Sequence, residues 1–421
     1  MSQNINLEIE PDWIISRRSD ALRRFNSLEA PTLKYGITMK IDISDLDFKN
    51  FLDVDEFEKP LGNSQTPHKS ALNTNVKEGY SKHSVEVSEQ KITAPEEVIV
   101  LDFSEAVKKY PQLMKEKFMN ELFSPVNKFE AFHAANWKKT TVIIVPKNVQ
   151  SDKPIEIITS FKNTNVDNLL IIAEANCSAT IIDCVENYGT KEHKLNSRVA
   201  EIFLESGAKI NFLSIQNCDQ ETYTFSVRRA ITEKDSTINW LDCNFGGKVC
   251  TSEATSILNG SGSQTNNYGL FFGDGEQKFD LHSKSIHIAT NTSSDMLTKG
   301  ALDDSAKAIY RGVLKIHTTA FDSSGYQKEE VILLSDKAEA DSIPELRINN
   351  NDIKKCTHGA SIGQVDPEKL FYLMSRGLDK KEAVKTLIEA FFSSVCIKIG
   401  SEEFTNRIRK IVESKLESKS E

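Results

Sequence analysis

Ala179-Thr180-Ile181-Ile182-Asp183-Cys184, Ala208-Lys209-Ile210-Asn211-Phe212-Leu213 and Ser236-Thr237-Ile238-Asn239-Trp240-Leu241 begin 29 and then 28 residues apart. Each run follows a small or polar turn and ends near an asparagine: Asn187, Asn217 and Asn244. A strand unit that recurs at this period predicts coils stacked along one axis, as in a parallel β-helix. Stacking would set small residues and asparagines above one another at the corners and apolar residues in a shared core. Outward from these runs, from Thr141 to about Ile353, short stretches rich in Val, Ile, Thr and Phe alternate with Gly, Asn, Asp and Ser turns. No long helical period interrupts them. A large β-sandwich is the rival reading of the same pattern.

The flanks read differently. Residues 11–28 predict a helix with Trp13, Ile14, Leu22 and Phe25 as its apolar positions. Helical character returns at 104–122 and 125–137, the second opened by Ser124-Pro125 as cap and first-turn proline. Residues 60–94 are rich in Ser, Asn, Lys and Glu, with Tyr80 the only aromatic. Such a segment buries too little apolar surface to offset its ordering entropy and is expected to be a mobile loop. Beyond the strands, Asp366-Pro367-Glu368 starts a helix that Gly377 ends, and Asp379 with Glu382 makes a capping-box start for the next. Val384, Leu387, Ile388, Phe391, Phe392, Val395 and Ile399 form a stripe at helical spacing; Gly400 closes that helix and Ser401-Glu402-Glu403 opens a last one. The expected organisation is a helical region over 1–140, a β core over 141–364 and a helical domain over 365–421.

Composition removes several function classes. A chain of 421 residues exceeds one ordinary core, although an elongated repeat fold escapes that bound. The net charge of −9 leaves no broad basic stripe for nucleic acid. No apolar run approaches the roughly 20 residues of a membrane span, and Glu8, Glu10 and Asp12 leave no apolar stretch for a secretory signal. Seven scattered cysteines (177, 184, 218, 243, 250, 356 and 396) with no Cys-x-x-Cys argue against a disulfide framework or zinc ribbon. A reducing cytoplasm is the expected compartment.

The chain holds no Gly-x-x-x-x-Gly-Lys-Ser/Thr loop, so any ATP chemistry must come from another subunit. It also lacks His-Glu-x-x-His and a Gly-x-Ser-x-Gly elbow. Phe272-Gly273-Asp274-Gly275-Glu276 lies between strand-like runs and reads as a turn. Asp303-Asp304 would face opposite ways on a strand, which does not suit two acids flanking a glycosidic bond. His282 and His287, five apart, fall on opposite strand faces. Cys243 and Cys250 flank Phe245-Gly246-Gly247 and read as small buried apolar residues.

One stretch carries more specific chemistry. In Lys355-Cys356-Thr357-His358-Gly359-Ala360-Ser361-Ile362-Gly363 a thiol and an imidazole stand two residues apart, and on an extended backbone they share a face. Sulfur and nitrogen donors suit iron or zinc, but two ligands are too few, so further donors must come from elsewhere or from a partner. The alternative is a buried Cys beside a hydrogen-bonded His.

Cys-Thr-His-Gly-Ala-Ser-Ile-Gly, followed by an acidic-Pro turn and Leu370-Phe371-Tyr372-Leu373-Met374-Ser375-Arg376-Gly377, resembles the signature of the SufB/SufD family, and SufD more than SufB. These are scaffold subunits of the SUF iron–sulfur cluster assembly system. The resemblance continues through Lys299-Gly300-Ala301-Leu302-Asp303-Asp304-Ser305-Ala306, Leu333-Leu334-Ser335-Asp336-Lys337-Ala338-Glu339 and Pro344-Glu345-Leu346. It is weaker at Val145-Pro146-Lys147, Pro154-Ile155, and Pro11 and Trp13 with Arg17-Arg18, and absent over 60–95.

The resemblance implies a mainly β protein, with a parallel β-helix core between helical ends, and decides against the sandwich. It implies a SufB-like partner (or a second copy, in a SufB-like homodimer) and SufC, an ABC-type ATPase, with Phe371, Tyr372, Arg376, Phe391 and Phe392 as candidate ATPase contacts. It implies that His358, with Cys356, serves cluster assembly at the interface, His358 being the candidate metal ligand. The chain alone would hold no cofactor stably; iron or an iron–sulfur cluster would pass through the complex. Where SufB has a cysteine after glutamine, Gln327 is followed by Lys328, and where SufB has His-Glu-Ala, His358 is followed by Gly359. Both departures remove a donor, pointing to a non-enzymatic scaffold rather than a lone cluster carrier. From a different class, a β-helix polysaccharide lyase or hydrolase is the alternative.

Overall fold

The computed structural model describes residues 11–29, 43, 46–51, 88–119, 125–188, 194–399 and 401–417. Helix α1 (Asp12–Ser27) comes first, followed by strands β1 (Glu89–Thr93) and β2 (Ile99–Asp102). Helices α2 (Phe103–Lys109), α3 (Pro111–Lys117) and α4 (Lys128–Asn136) come next. The strand region runs through β3 (Lys139–Val145), β4 (Ile155–Phe161), β5 (Thr164–Ala173), β6 (Ser178–Asn187), β7 (Lys194–Leu204) and β8 (Lys209–Asn217). It continues with β9 (Thr222–Thr232), β10 (Thr237–Asn244), β11 (Val249–Leu258), β12 (Gln264–Gly273) and β13 (Lys278–His287). The last strands are β14 (Ser293–Leu302), β15 (Lys307–Ile316), β16 (Ser323–Leu333), β17 (Glu339–Ile348) and β18 (Ile353–Gln364). Helices α5 (Pro367–Ser375), α6 (Lys380–Ile399) and α7 (Glu402–Glu417) follow.

The strands form two nine-stranded sheets. One runs β1-β4-β6-β8-β10-β12-β14-β16-β18 and the other β17-β15-β13-β11-β9-β7-β5-β3-β2. From β3 to β18 successive strands alternate between the sheets and every ladder is parallel; only β1 on β4 and β2 on β3 are antiparallel. This is the expected parallel β-solenoid. The repeat is less regular than its sequence suggests: Ala208 and Ser236 lead strands in a 28-residue register, but Ala179 stands opposite Ile210, 31 residues on. A two-residue error keeps every side chain on its own face, so the apolar pattern survives it.

One face of each sheet points inward, and its residues stack coil on coil. Ile181, Phe212 and Trp240 are successive interior neighbours with no exposed surface. The Phe212 and Trp240 rings meet edge to face at 5.5 Å, and the Trp240 indole N–H donates to Ser256 Oγ at 2.9 Å. One corner repeats a left-handed residue: Asn148, Asn176, Gly207, Asp235, Gly262, Asn291 and Asp322 all have positive φ. Glycine, asparagine and aspartate tolerate that conformation best. At Gly207 space matters too, because a Cβ there would lie 2.3 Å from Asn176 Oδ1. These residues precede the strands, whereas Asn187, Asn217 and Asn244 occupy strand ends.

Not all of the interior is apolar. Arg198, 2% exposed, reaches Asp183 through Nη2 at 2.6 Å and Nε at 2.8 Å, and its Nη1 pairs with Asp167. Further along the axis Arg228 pairs with Asp242 at 3.0 Å, which also accepts from Ser214 and Ser252.

Helices cover the outer faces. α1 and α4 pack with α2 and α3 over β3, β5 and β7, and Arg18 donates to the carbonyls of Ala135 and Trp137. The helix expected over 104–122 is broken at Tyr110-Pro111, since proline gives no amide to continue α2. α4 is capped by Asn127, whose Oδ1 accepts from the Glu130 amide at 2.9 Å, rather than by Ser124-Pro125; Ser124 lies outside the described residues. Of the expected loop at 60–94, residues 60–87 lie outside the described residues. Its end is not loop: Glu89–Thr93 is β1, a strand held on β4 by a continuous ladder.

At the other end, Ile388, Phe392 and Val395 of α6 and Phe404, Ile408 and Val412 of α7 pack on Leu213, Leu241, Leu270 and Phe272. Each such burial contributes roughly 1.5–3 kcal/mol, so these two helices are part of the solenoid's core structure. Among the described residues no helix is long and apolar enough to cross a membrane.

Candidate functional site at the open end of the solenoid

The signature stretch forms β18, the last strand of its sheet. β18 pairs only with β16, and β17 pairs only with β15, among the described residues. Register fixes which way the side chains of β18 face. Gly325, Gln327, Glu329 and Val331 are the buried, inward positions of β16. Their partners are Cys356, His358, Ala360 and Ile362. Cys356 and His358 therefore share the interior face of the last coil. Among the described residues no further coil covers it: His358 is exposed, Cys356 half-buried, and Ile362 and Ile348 are each 39% exposed.

Two expectations for these residues divide here. His358 makes no hydrogen bond to the described residues that would give it a purely structural post; it presents a free imidazole at the mouth. Cys356 is not the fully buried thiol of the alternative reading, although partial burial pushes its thiol up and keeps it protonated at neutral pH. Among the described residues no group of three or more His, Cys, Asp and Glu could hold a metal ion. Iron at this mouth needs donors from a second chain or from sulfide.

Gly359 and Lys328 stand opposite each other. Lys328 Nζ pairs with Glu330 at 2.7 Å, and a side chain at Gly359 would meet nothing within 4 Å. The lost donors there are a matter of chemistry, not of space.

Beneath the mouth lies a residue that the sequence reading passed over. Glu329 is 3% exposed, beside Ser342, and one of its carboxyl oxygens finds no hydrogen-bond partner. Burial pushes its pKa up to about 8, against the small opposing pull of Ser342. Gln327 Oε1 and the Tyr310 hydroxyl, also buried, lack partners among the described residues too. The alternation Gly325-x-Gln327-x-Glu329-x-Val331 was the available signal: it puts a carboxyl on the face of a valine.

The aromatic positions of the terminal helices separate. Asp366 caps α5 by accepting from the Glu368 amide at 3.0 Å, Pro367 occupies the first turn, and Gly377 (φ +100°) ends it. α5 buries none of its residues; Phe371 is 73% and Tyr372 56% exposed, with the Arg376 guanidinium 5.2 Å from the Tyr372 ring. Phe391 and Phe392 do not join them. Phe392 is buried under α7 against the sheet, and Phe391 is half-buried beneath Lys299, because the apolar stripe of α6 faces the solenoid.

The remaining motifs are structural. Asp304 has positive φ at a corner and accepts from the Gly275 amide at 3.0 Å; Gly275 is itself a left-handed turn residue. His282 bonds Asp280 at 3.1 Å, while His287 is buried between Thr292 and Ser294 with its pKa lowered to about 4 by desolvation. Cys243 and Cys250 are buried free thiols.

Comparison with known proteins agrees with this geometry. The family described as "SUF system FeS cluster assembly, SufBD core domain" matches residues 157–391, more than half of the chain. An iron–sulfur cluster assembly SufBD family protein of Staphylococcus saprophyticus is 26% identical over 409 residues, covering 92% of this chain and 86% of that one. One from Staphylococcus haemolyticus is 27% identical over 420 residues, covering 93% and 88%, and one from Staphylococcus epidermidis is 26% identical over 419. With strands β5 to β18, most of β4 and the start of the terminal helices inside the matched span, the chain belongs to the SufBD family of iron–sulfur cluster assembly proteins.

Proposed function

We propose that this chain is a SufD-like, non-enzymatic scaffold subunit of the SUF machinery. It pairs through the free edge of β18 with a SufB-like subunit, offers His358 and secondarily Cys356 to iron or a nascent cluster at that junction, and receives a SufC-type ATPase on α5. The observation that carries the reading is the uncovered interior face of the last coil. An unpaired strand edge with exposed isoleucines is a template for another chain, and the imidazole stands on that same face. Seven free thiols suit a reducing cytoplasm. Asp303 and Asp304 lie at a coil corner, where their carboxylates accept from the Asp304 and Gly275 backbone amides, a turn role rather than a glycosidase pair.

The test is His358→Ala in the co-expressed complex. His358 is exposed and unbonded, so the substitution should move the unfolding midpoint little, within the ±0.5 kcal/mol typical of surface changes. Iron and sulfide per folded complex should fall several-fold, and Cys356→Ser should do less. Normal cluster loading in the His358→Ala complex would end this reading.

The ATPase contact needs a point test. Removing residues 365–421 would also strip α6 and α7 from the sheet and expose Leu213, Leu241 and Phe272. Phe371→Ala with Tyr372→Ala touches only the exposed face of α5. If that face is the dock, pull-down of the ATPase should drop by at least about 30-fold, as for interface hot spots worth 2 kcal/mol or more, with the unfolding midpoint unchanged. Binding undiminished by the double substitution would move the dock elsewhere.

A further inference from the structure

Three acids share one interior row of the sheet that ends in β18. Asp183 on β6, Asp242 on β10 and Glu329 on β16 are linked in register through successive coils. The first two are answered by arginines of the facing sheet, Asp183 by Arg198 on β7 and Asp242 by Arg228 on β9. Each arginine stands on the strand next in the chain to the acid's own. For Glu329 the corresponding strands are β15 and β17, and the residues they set against it are Tyr310 and Ser342, partners in register. Burial pushes Tyr310 up to about 12, so it stays neutral. No Lys, Arg or His among the described residues is electrically coupled to Glu329. The third acid of the row lacks the arginine that the other two have.

One route to it is open. Past Glu329 the row holds only Ala360, with Ser342 beside it on β17, and both side chains are short. Glu329 Oε2 and Gln327 Oε1, two positions apart on the face that opens at the mouth, are buried acceptors without a donor among the described residues. A strand stacked on β18 lies about 4.8 Å beyond it, hence about 10 Å from β16. A glutamate and an arginine together close that gap across an alanine. Arginine suits the place, because its planar fork offers five donors and is less strongly hydrated than an ammonium. A second copy of this chain has none to give: the inward positions of β17, and those of β18 from Cys356 to Ile362, hold no lysine or arginine. Resting on the reading of the free β18 edge as the seat of another subunit, we propose that the covering chain inserts a guanidinium through the mouth onto Glu329 and Gln327, and that this chain is therefore a different protein. Docking exchanges a proton for that cation. Burial keeps Glu329 protonated in the free chain, pushed up to about 8. Its O–H proton leaves for solvent, and the carboxylate accepts from the incoming N–H groups.

The experiment follows dissociation of the co-expressed complex with the SufB-like subunit on dilution, at pH 7. Glu329→Gln should weaken the complex at least about 30-fold, the usual loss when one member of a buried interfacial charge pair is removed. Glutamine is isosteric with the neutral acid, so the free variant should fold. Replacing each inward-facing arginine or lysine of the partner's terminal coil by methionine should find one position with a similar loss, and its combination with Glu329→Gln should be far from additive. An infrared band of a protonated carboxyl, present in the free wild type and missing from Glu329→Gln, should vanish in the complex. Persistence of that band, or a Glu329→Gln complex as tight as wild type, would overturn the inserted cation. Ile362→Asp separates this from the docking itself. If Ile362→Asp dissociates the complex and Glu329→Gln does not, the edge is the seat and the cation is wrong; if neither does, the seat is wrong too. A stable dimer of the purified chain alone, broken by Ile362→Asp, would make the covering chain a second copy and overturn the proposal.

Discussion

Arg198→Ala is expected to cost about 3–5 kcal/mol of stability, the usual penalty for removing one partner from a buried charge cluster. Arg198 sits in the middle of the stack, on β7, where its guanidinium joins Asp167 of one sheet to Asp183 of the other and also donates to Thr159 at 3.1 Å. Each carboxylate is 2% exposed or less, and burial already pushes Asp183 up against the pull of Arg198. Without the cation both must stay ionised in the interior or bind protons, and either choice disfavours the folded chain. The loss should be local, since each coil touches only its neighbours. Guanidinium titration followed by circular dichroism gives the number, and the triple variant Arg198→Met, Asp167→Asn, Asp183→Asn should recover most of it. A loss below about 1 kcal/mol for Arg198→Ala would mean that the cluster is hydrated and carries little of the stability.

The second large effect is a pH dependence. Glu329 has a folded pKa of about 8 against 4.5 for the ordinary carboxyl. Between those values Glu329 binds a proton in the folded chain that it has lost in the unfolded one, so its contribution to stability is greatest below pH 4.5 and is lost as pH rises to about 8. At 1.36 kcal/mol per pKa unit the full fall is about 5 kcal/mol. Glu329→Gln should exceed wild type by less than about 1 kcal/mol at pH 5 and increasingly so up to about pH 8, where the difference levels off. The buried imidazoles act in the opposite sense. Burial lowers His133 and His287 to about 4, so each contributes stability that is lost as pH falls from 6.5 toward 4. Denaturation midpoints for wild type and Glu329→Gln across pH 5–9 separate the two. Parallel curves above pH 6.5 would show that Glu329 ionises freely in the folded chain.

Much of this architecture is legible in the residues. The recurring Ala208–Leu213 and Ser236–Leu241 units carry the coil, and Asp366-Pro367 and Asp379–Glu382 mark helix starts that the fold keeps; the Glu382 amide bonds Asp379 at 2.8 Å. The cap of α4 was misplaced because Asn127 and Ser124-Pro125 are both good starts three residues apart, and local chemistry does not choose between them. Phe392 was misassigned for a different reason. An apolar helical stripe has the same spacing whether it meets its own sheet or a foreign protein, and only the docking of α6 on β12 and β14 separates the two uses.

The sequence by itself determined the periodic part of the protein: parallel strands in stacked coils, helices at both ends, and the pairing of Cys356 with His358 on one strand face. Those are local consequences of residue spacing, left-handed corners and alternation, and a two-residue slip in register does not disturb them. The tertiary structure decided where that strand lies. Being last in the stack turns an interior face into an exposed mouth one strand above the buried Glu329, while the docking of α6 on the sheet takes Phe392 off the surface and leaves Phe391 half-buried. Burial and end position belong to the whole assembly of coils, and no short window of residues contains them.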